Sequence, residues 1–180
     1  MRETYPDRTI AKLGHKFDLM DSHQIVGVFP SEQDDPLDYP FYYSVGATLK
    51  HNTPELLLCG SIRPELAMSL INAFVLEIKD RFEEAKSHTR LYEFAGGGMP
   101  VIFAPCDDDV WQKRCFQGNL FYEDRDWVCY RPPVWQILFP DEMKRFWWEP
   151  NADLNKCTTS DHLMMNPDKF LKDLLECGGL

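Results

Sequence analysis

The fold turns on Phe41-Tyr-Tyr-Ser-Val-Gly-Ala-Thr-Leu49 and Pro54-Glu-Leu-Leu-Leu-Cys-Gly60, followed by a run opened by Pro64 and closed at Phe82. The first segment is aromatic and β-branched, the residue types that pack well on a pleated surface, and predicts a strand. Gly46 sits in its middle, where a strand can bulge or let another backbone or a ligand come close. A turn over residues 50–53 allows an antiparallel return through Leu56, Leu57 and Leu58, a run apolar enough for a central strand. Gly60 and Ser61 break it. Pro64 suits the first turn of a helix, where its missing N–H leaves no bond unmade. Leu66, Leu70, Ile71, Phe74, Val75, Ile78 and Phe82 then recur at helical spacing, with Glu77, Lys79, Asp80, Glu83 and Glu84 left for solvent.

Outward from this unit, Ile10, Leu13, Phe17 and Met20 predict an amphipathic N-terminal helix interrupted by Gly14. Gln24-Ile-Val-Gly-Val-Phe29 predicts a first strand stopped by Pro30, and the acidic, proline-bearing residues 31–40 an exposed loop. Toward the C-terminus, residues 91–94 predict a short strand and Gly96 to Gly98 a hinge. Val101 to Ala104 predicts a strand between two prolines. Asp107 to Asp109 suit the first turn of a helix carrying Val110, Trp111 and Cys115, which Gly118 and Asn119 should end or loosen. Val134 to Phe139 predicts the last strand. A linker over residues 151–166 leads to a helix starting at Pro167, whose docking face is Phe170, Leu171, Leu174 and Leu175. The expected fold is α+β: a single domain with a mainly antiparallel or mixed sheet of about five or six strands and helices packed on it. Residues 1–151 form its body, and residues 152–180 a linker and a C-terminal helix docking on the same domain.

Composition sets bounds on function. The chain has 180 residues, 44% of them hydrophobic and 13% aromatic. A domain of that length buries roughly 70% of its unfolded surface and needs no staple. Against 19 basic side chains stand 29 acidic ones, for a net charge of −10. With Lys and Arg scattered, that balance repels nucleic-acid phosphates, so no nucleic-acid partner is expected. None of the six cysteines stands in a Cys-x-x-Cys pair, which fits reduced thiols better than a zinc knuckle or a disulfide framework. No apolar run has the length of a membrane span, and Met1-Arg-Glu-Thr-Tyr-Pro-Asp-Arg8 lacks the apolar core of a signal peptide. No membrane partner is expected, and the expected location is cytoplasmic.

No motif names a reaction. Gly96 to Gly98 lack the Gly-Lys-Ser/Thr ending of a phosphate loop. Asp107 to Asp109 offer carboxylates to a hard cation, but three consecutive residues at a helix start point in different directions, and helix capping accounts for them. Cys106 precedes the same helix, whose dipole favours a thiolate, while three neighbouring carboxylates oppose it. The histidines His15, His23, His51, His88 and His162 form no metal-binding pattern, and no metal or cofactor is assigned. His51 reads as an exposed turn residue. His23, heading the first strand, comes near Tyr42 and Tyr43 if the strands pair. Ser44 lacks the nucleophile elbow a Ser-His-Asp site needs. Adjacent Trp147 and Trp148 face opposite sides if extended, leaving one to cover a pocket or an interface.

Taken in order, Phe41 to Thr48, Pro54 to Gly60, Ala67-Met-Ser-Leu-Ile-Asn72, Trp135-Gln-Ile-Leu-Phe-Pro-Asp141 and Arg145-Phe-Trp-Trp-Glu-Pro150 resemble the bacterial family known as domain of unknown function forty-two sixty-two. The resemblance covers about residues 8–151. Family members show Tyr-Thr-Val-Gly-Leu where this chain has Tyr43-Ser-Val-Gly-Ala47, and Pro-Trp where it has Trp147 and Trp148. Many carry a cysteine-bearing segment before a His-Gly-Trp stretch, to which only His23 corresponds here. The resemblance implies a compact domain from a bacterium or its phage and implies no activity.

The leading expectation is a cytosolic binding or interaction protein taking a small molecule or a protein partner. Its surface is expected at Tyr43, Ser44, Gly46, Asn72, Trp135, Gln136 and Trp147. The alternatives are a small metabolite- or nucleotide-processing enzyme, with His23 or an acid from Asp107 to Asp109 as general base, and an acidic inhibitor in a phage-defence or toxin context.

Overall fold

The computed structural model describes residues 22–30, 39–86, 90–91, 98–107, 109, 113–123, 132–158 and 165–176. Its centre is a mixed five-stranded sheet in the order β1-β2-β3-β5-β4. The strands are β1 (Gln24–Val28), β2 (Phe41–Val45), β3 (Glu55–Cys59), β4 (Ile102–Pro105) and β5 (Val134–Leu138). Five helices accompany it among the described residues: α1 (Ala47–His51), α2 (Pro64–Asp80), α3 (Phe82–Lys86), α4 (Phe116–Glu123) and α5 (Pro167–Glu176).

β1, β2 and β3 form an antiparallel meander in which Tyr43 faces Val26 on one side and Leu57 on the other. β3 then pairs in parallel with β5, and β4 closes the sheet antiparallel to β5. A parallel pair needs a long crossover, and the chain between β3 and β5 supplies it with α2, α3, β4 and α4. β2, β3 and β5 are buried along their whole length, whereas β1 is only half-buried. The central position of the Leu56–Leu58 run thus follows from its lack of any polar face.

Alternation along the strands sends side chains to two cores. On one face Tyr42, Leu56, Leu58, Trp135, Ile137 and Phe103 pack under Ala67, Ile71, Phe74, Val75 and Ile78 of α2. On the other face Phe41, Tyr43, Val45 and Leu57 meet Phe121 and Tyr122 of α4, while Ile102, Ala104 and Leu138 meet Phe146 and Phe170 and Leu174 of α5. The expected α+β class is the observed one. Among the described residues no helix is long and apolar enough to cross a membrane.

Several local expectations change. The strand expected through Leu49 stops at Val45, because Gly46 takes a left-handed backbone with φ 90° and turns the chain into α1. Gly118 and Asn119 lie inside α4, where Asn119 donates its N–H to the Cys115 carbonyl. On α2, Leu66 is exposed, so the buried stripe is narrower than the apolar pattern, and on α5 Leu175 points to solvent while Phe170 and Leu174 dock. Leu91 bridges Val101, and residues 92–94 of the expected strand lie outside the described residues. The expected N-terminal helix, residues 31–38 of the acidic loop, Gly96, Gly97, Asp108, Val110 and Trp111 lie outside the described residues.

Candidate functional site

α1 has five residues, too short to hold itself in water, since nucleating a single turn fixes several dihedrals for very few hydrogen bonds. It is held from outside. Its cap residue Gly46 has no side chain to satisfy the first free N–H groups, and the carboxylate of Glu55 takes that role from the neighbouring strand. One Glu55 oxygen accepts the N–H of Gly46 at 3.0 Å and of Thr48 at 3.1 Å. The hydroxyl of Tyr122 on α4 donates to the same oxygen. The Ser44 hydroxyl donates to the other at 2.6 Å and accepts the Leu56 N–H at 2.8 Å. At the far end Asn52, also left-handed at φ 57°, donates its N–H to the Thr48 carbonyl, and the Thr48 hydroxyl donates to the Thr53 carbonyl.

Glu55 is wholly buried, and burial pushes its carboxyl upward in pKa, while Ser44, Tyr122 and the backbone of α1 pull the other way. Four donors converging on one carboxylate are what a buried acid needs to be tolerated. Its consequence lies at the end of α1, which is fixed at both ends and carries His51 in its last turn.

His23 precedes Gln24, the residue paired with Val45, so it stands at the same end of the sheet as Gly46. The His23 and His51 rings meet edge to face with centres 5.3 Å apart. His23 is 4% exposed. Among the described residues, the Nε2 atoms of both rings are buried and have no hydrogen-bond partner. Burial, then the charge of His51, pushes the pKa of His23 down to about 4, with the Asn72 side chain on α2 opposing the drop. His51 is also pushed down, first by burial and then by Lys79 and Lys50. At neutral pH the pair is therefore two neutral imidazoles side by side. Such rings can accept or donate a hydrogen bond or ligate a metal through nitrogen.

The seven expected site residues do not share one surface. Asn72 is exposed on α2 and acts on His23. Ser44 and Gly46 are buried and belong to the Glu55 clamp. Tyr43 lies on the opposite core from α2, and its hydroxyl accepts the Gly118 N–H at 3.3 Å. Gln136 is buried mid-sheet between Leu57 and Ala104, and Trp135 stacks on Phe82 in the α2 core. Trp147 is half-buried, edge to face with Trp148, which itself stacks on Phe146.

Other candidates resolve into structure. Asp109 is exposed and paired with Lys113, and among the described residues no group of three His, Cys, Asp or Glu could hold a metal ion. Burial, then Cys115, Cys59 and Asp107, pushes the Cys106 thiol well above its ordinary pKa, which opposes a nucleophilic role. His51, read from the sequence as an exposed turn residue, is half-buried in a helix.

Glu55 was missed altogether. Its one signal was an acid heading the run Leu56–Cys59, a charge at the threshold of a fully apolar strand that needs donors close by. The partnership of His23 with His51 had no signal, because 28 positions separate them and only the β1–β2 pairing brings them together.

A family model described as Domain of unknown function (DUF4262) matches residues 21–153. No curated protein and no solved structure matches the chain.

Proposed function

The chain belongs to the DUF4262 family, and from that premise we propose that it is a cytosolic ligand-binding module whose working groups are His23, His51 and Asn72. The observation that carries this reading is the pair of buried imidazole Nε2 atoms that have no hydrogen-bond partner among the described residues. An unmade bond at a buried polar atom costs about 1–3 kcal/mol, and a ligand that makes the bond recovers that energy as affinity. The Glu55 clamp holds α1, so one side of the site is formed before the ligand arrives. Preorganisation of this kind lowers the entropy lost on binding.

A catalytic reading of the same residues, with His23 as general base on a small metabolite, has less support. A general base works best with a pKa near the operating pH, and His23 is held at about 4. Such a ring is a poor proton acceptor at neutral pH but a good neutral ligand. The cytosolic assignment draws on the free thiols of Cys59, Cys106, Cys115 and Cys157, which suit a reducing compartment.

Native mass spectrometry of protein purified from its own host, paired with histidine NMR, tests the reading. The expected result is a retained small species whose removal shifts both His23 and His51. A protein that leaves its host with nothing bound, and whose two rings respond to no component of a host metabolite extract, would overturn it.

A further inference from the structure

We propose that His23 and His51 together bind a first-row transition-metal ion of the zinc, nickel or copper class, each contributing one imidazole nitrogen. This deepens the binding reading above and rests on it. The ring centres are 5.3 Å apart with planes at 81°. Zinc–nitrogen bonds of about 2.0–2.1 Å at a tetrahedral angle put two ligating imidazole centres roughly 5 Å apart. The observed centre spacing admits both rings on one ion. Among the described residues, the Nε2 of the buried His23 ring has no partner, nor has that of His51. Orphan polar atoms are rare in folded interiors, and two together mark a place where something else belongs.

Chemistry selects the class of ion. Among the described residues no carboxylate or thiol joins the two rings into a larger donor group. Magnesium and calcium, which need a set of oxygen ligands, therefore find too little to bind. Neutral imidazole suits zinc, copper and nickel, whose bonds to nitrogen do not depend on a charged ligand. That property matters here, because Lys50 and Lys79 lie close enough to His51 to act on it electrostatically. Their charge opposes every dication alike, so only an ion with strong bonds to nitrogen is held here. The Asn72 side chain hydrogen-bonds the His23 ring and so orients it as an outer-shell partner, with water completing the shell.

The test uses the full chain stripped of metal by a chelator and labelled with 15N at histidine, titrated with zinc chloride. The Nε2 resonances of His23 and His51 are expected to move together and saturate at one zinc per chain. His51→Gln is expected to abolish the response of His23 and weaken binding by about tenfold or more, since even outer-shell losses at metal sites cost that much. Cobalt loading of the wild type is expected to give visible absorption without a thiolate charge-transfer band.

A thiolate band, or no movement of either ring up to millimolar zinc, overturns the metal assignment. If the rings ignore zinc but respond to an organic molecule retained from the host, only the metal assignment falls. If they respond to neither, the binding reading falls with it.

Discussion

The imidazole of His51, carried by the last turn of α1, meets that of His23 edge to face at 5.3 Å, although the two belong to different elements. Burial of His23, reinforced by the charge of His51, couples stability to pH. His23 has a folded-state pKa of about 4 against 6.5 for the free side chain. The unfolded chain therefore takes up a proton that the folded chain refuses. Stability from this group is complete above about pH 6.5 and is lost progressively as pH falls toward 4. The loss is expected to reach up to about 3 kcal/mol. Urea midpoints measured from pH 7.5 to 4 should fall in the wild type, and the fall over this window should be flatter in His23→Gln.

Asn72 opposes the drop in His23, so removing its side chain should lower the His23 titration midpoint further. Asn72 is exposed, and its stability contribution is expected to stay within about 0.5 kcal/mol. An Asn72→Ala variant with unchanged urea midpoint at pH 7.5 but a lower His23 midpoint by NMR is the expected pattern. A loss of several kcal/mol instead would mark Asn72 as a structural residue.

Gly46→Ala is expected to cost about 1–2 kcal/mol, because a Cβ is strained at a left-handed φ of 90°. The same change should disturb α1 at its N-cap and so separate His51 from His23. Loss of the cross-ring NMR contact alongside the drop in denaturation midpoint would show both effects.

Ser44→Ala removes a donor to Glu55 and the acceptor of the Leu56 N–H at once. Leaving buried polar groups unmatched in this way is expected to cost about 2–3 kcal/mol. The measurement is the urea midpoint at neutral pH, with Ser44→Thr as the variant that keeps the hydroxyl.

Asp141 predicts a second, lower acid transition. Burial alone would raise its carboxyl, but the N–H groups of Asp153 and Arg145 and the Arg145 guanidinium outweigh it and hold the pKa at about 2. Its contribution is present above the ordinary value of 3.8 and lost as pH falls toward 2. Asp141→Asn should remove this lower transition and leave the one above pH 4 in place, as followed by near-ultraviolet circular dichroism.

The chain by itself determined the elements whose physics is local. The Leu56–Leu58 run has no polar face and had to be central. Pro64 and the apolar spacing behind it specify α2, which begins at that residue. Phe170 and Leu174 lie four apart and mark the docking side of α5.

Only the tertiary structure decided what depends on contacts across elements. Whether the segment after Val45 continued as strand or turned into α1 rested on a carboxylate from β3 reaching back to Gly46 and Thr48. Five residues have too little intrinsic helical preference to decide that alone. In the same way, Tyr43 and Gln136 looked suited to a surface and are buried in the sheet, while His51 looked like a turn residue and became half of a pair. Alternation assigns each strand residue to one of two faces, but which face is covered, and by which helix, depends on packing between segments far apart in the chain.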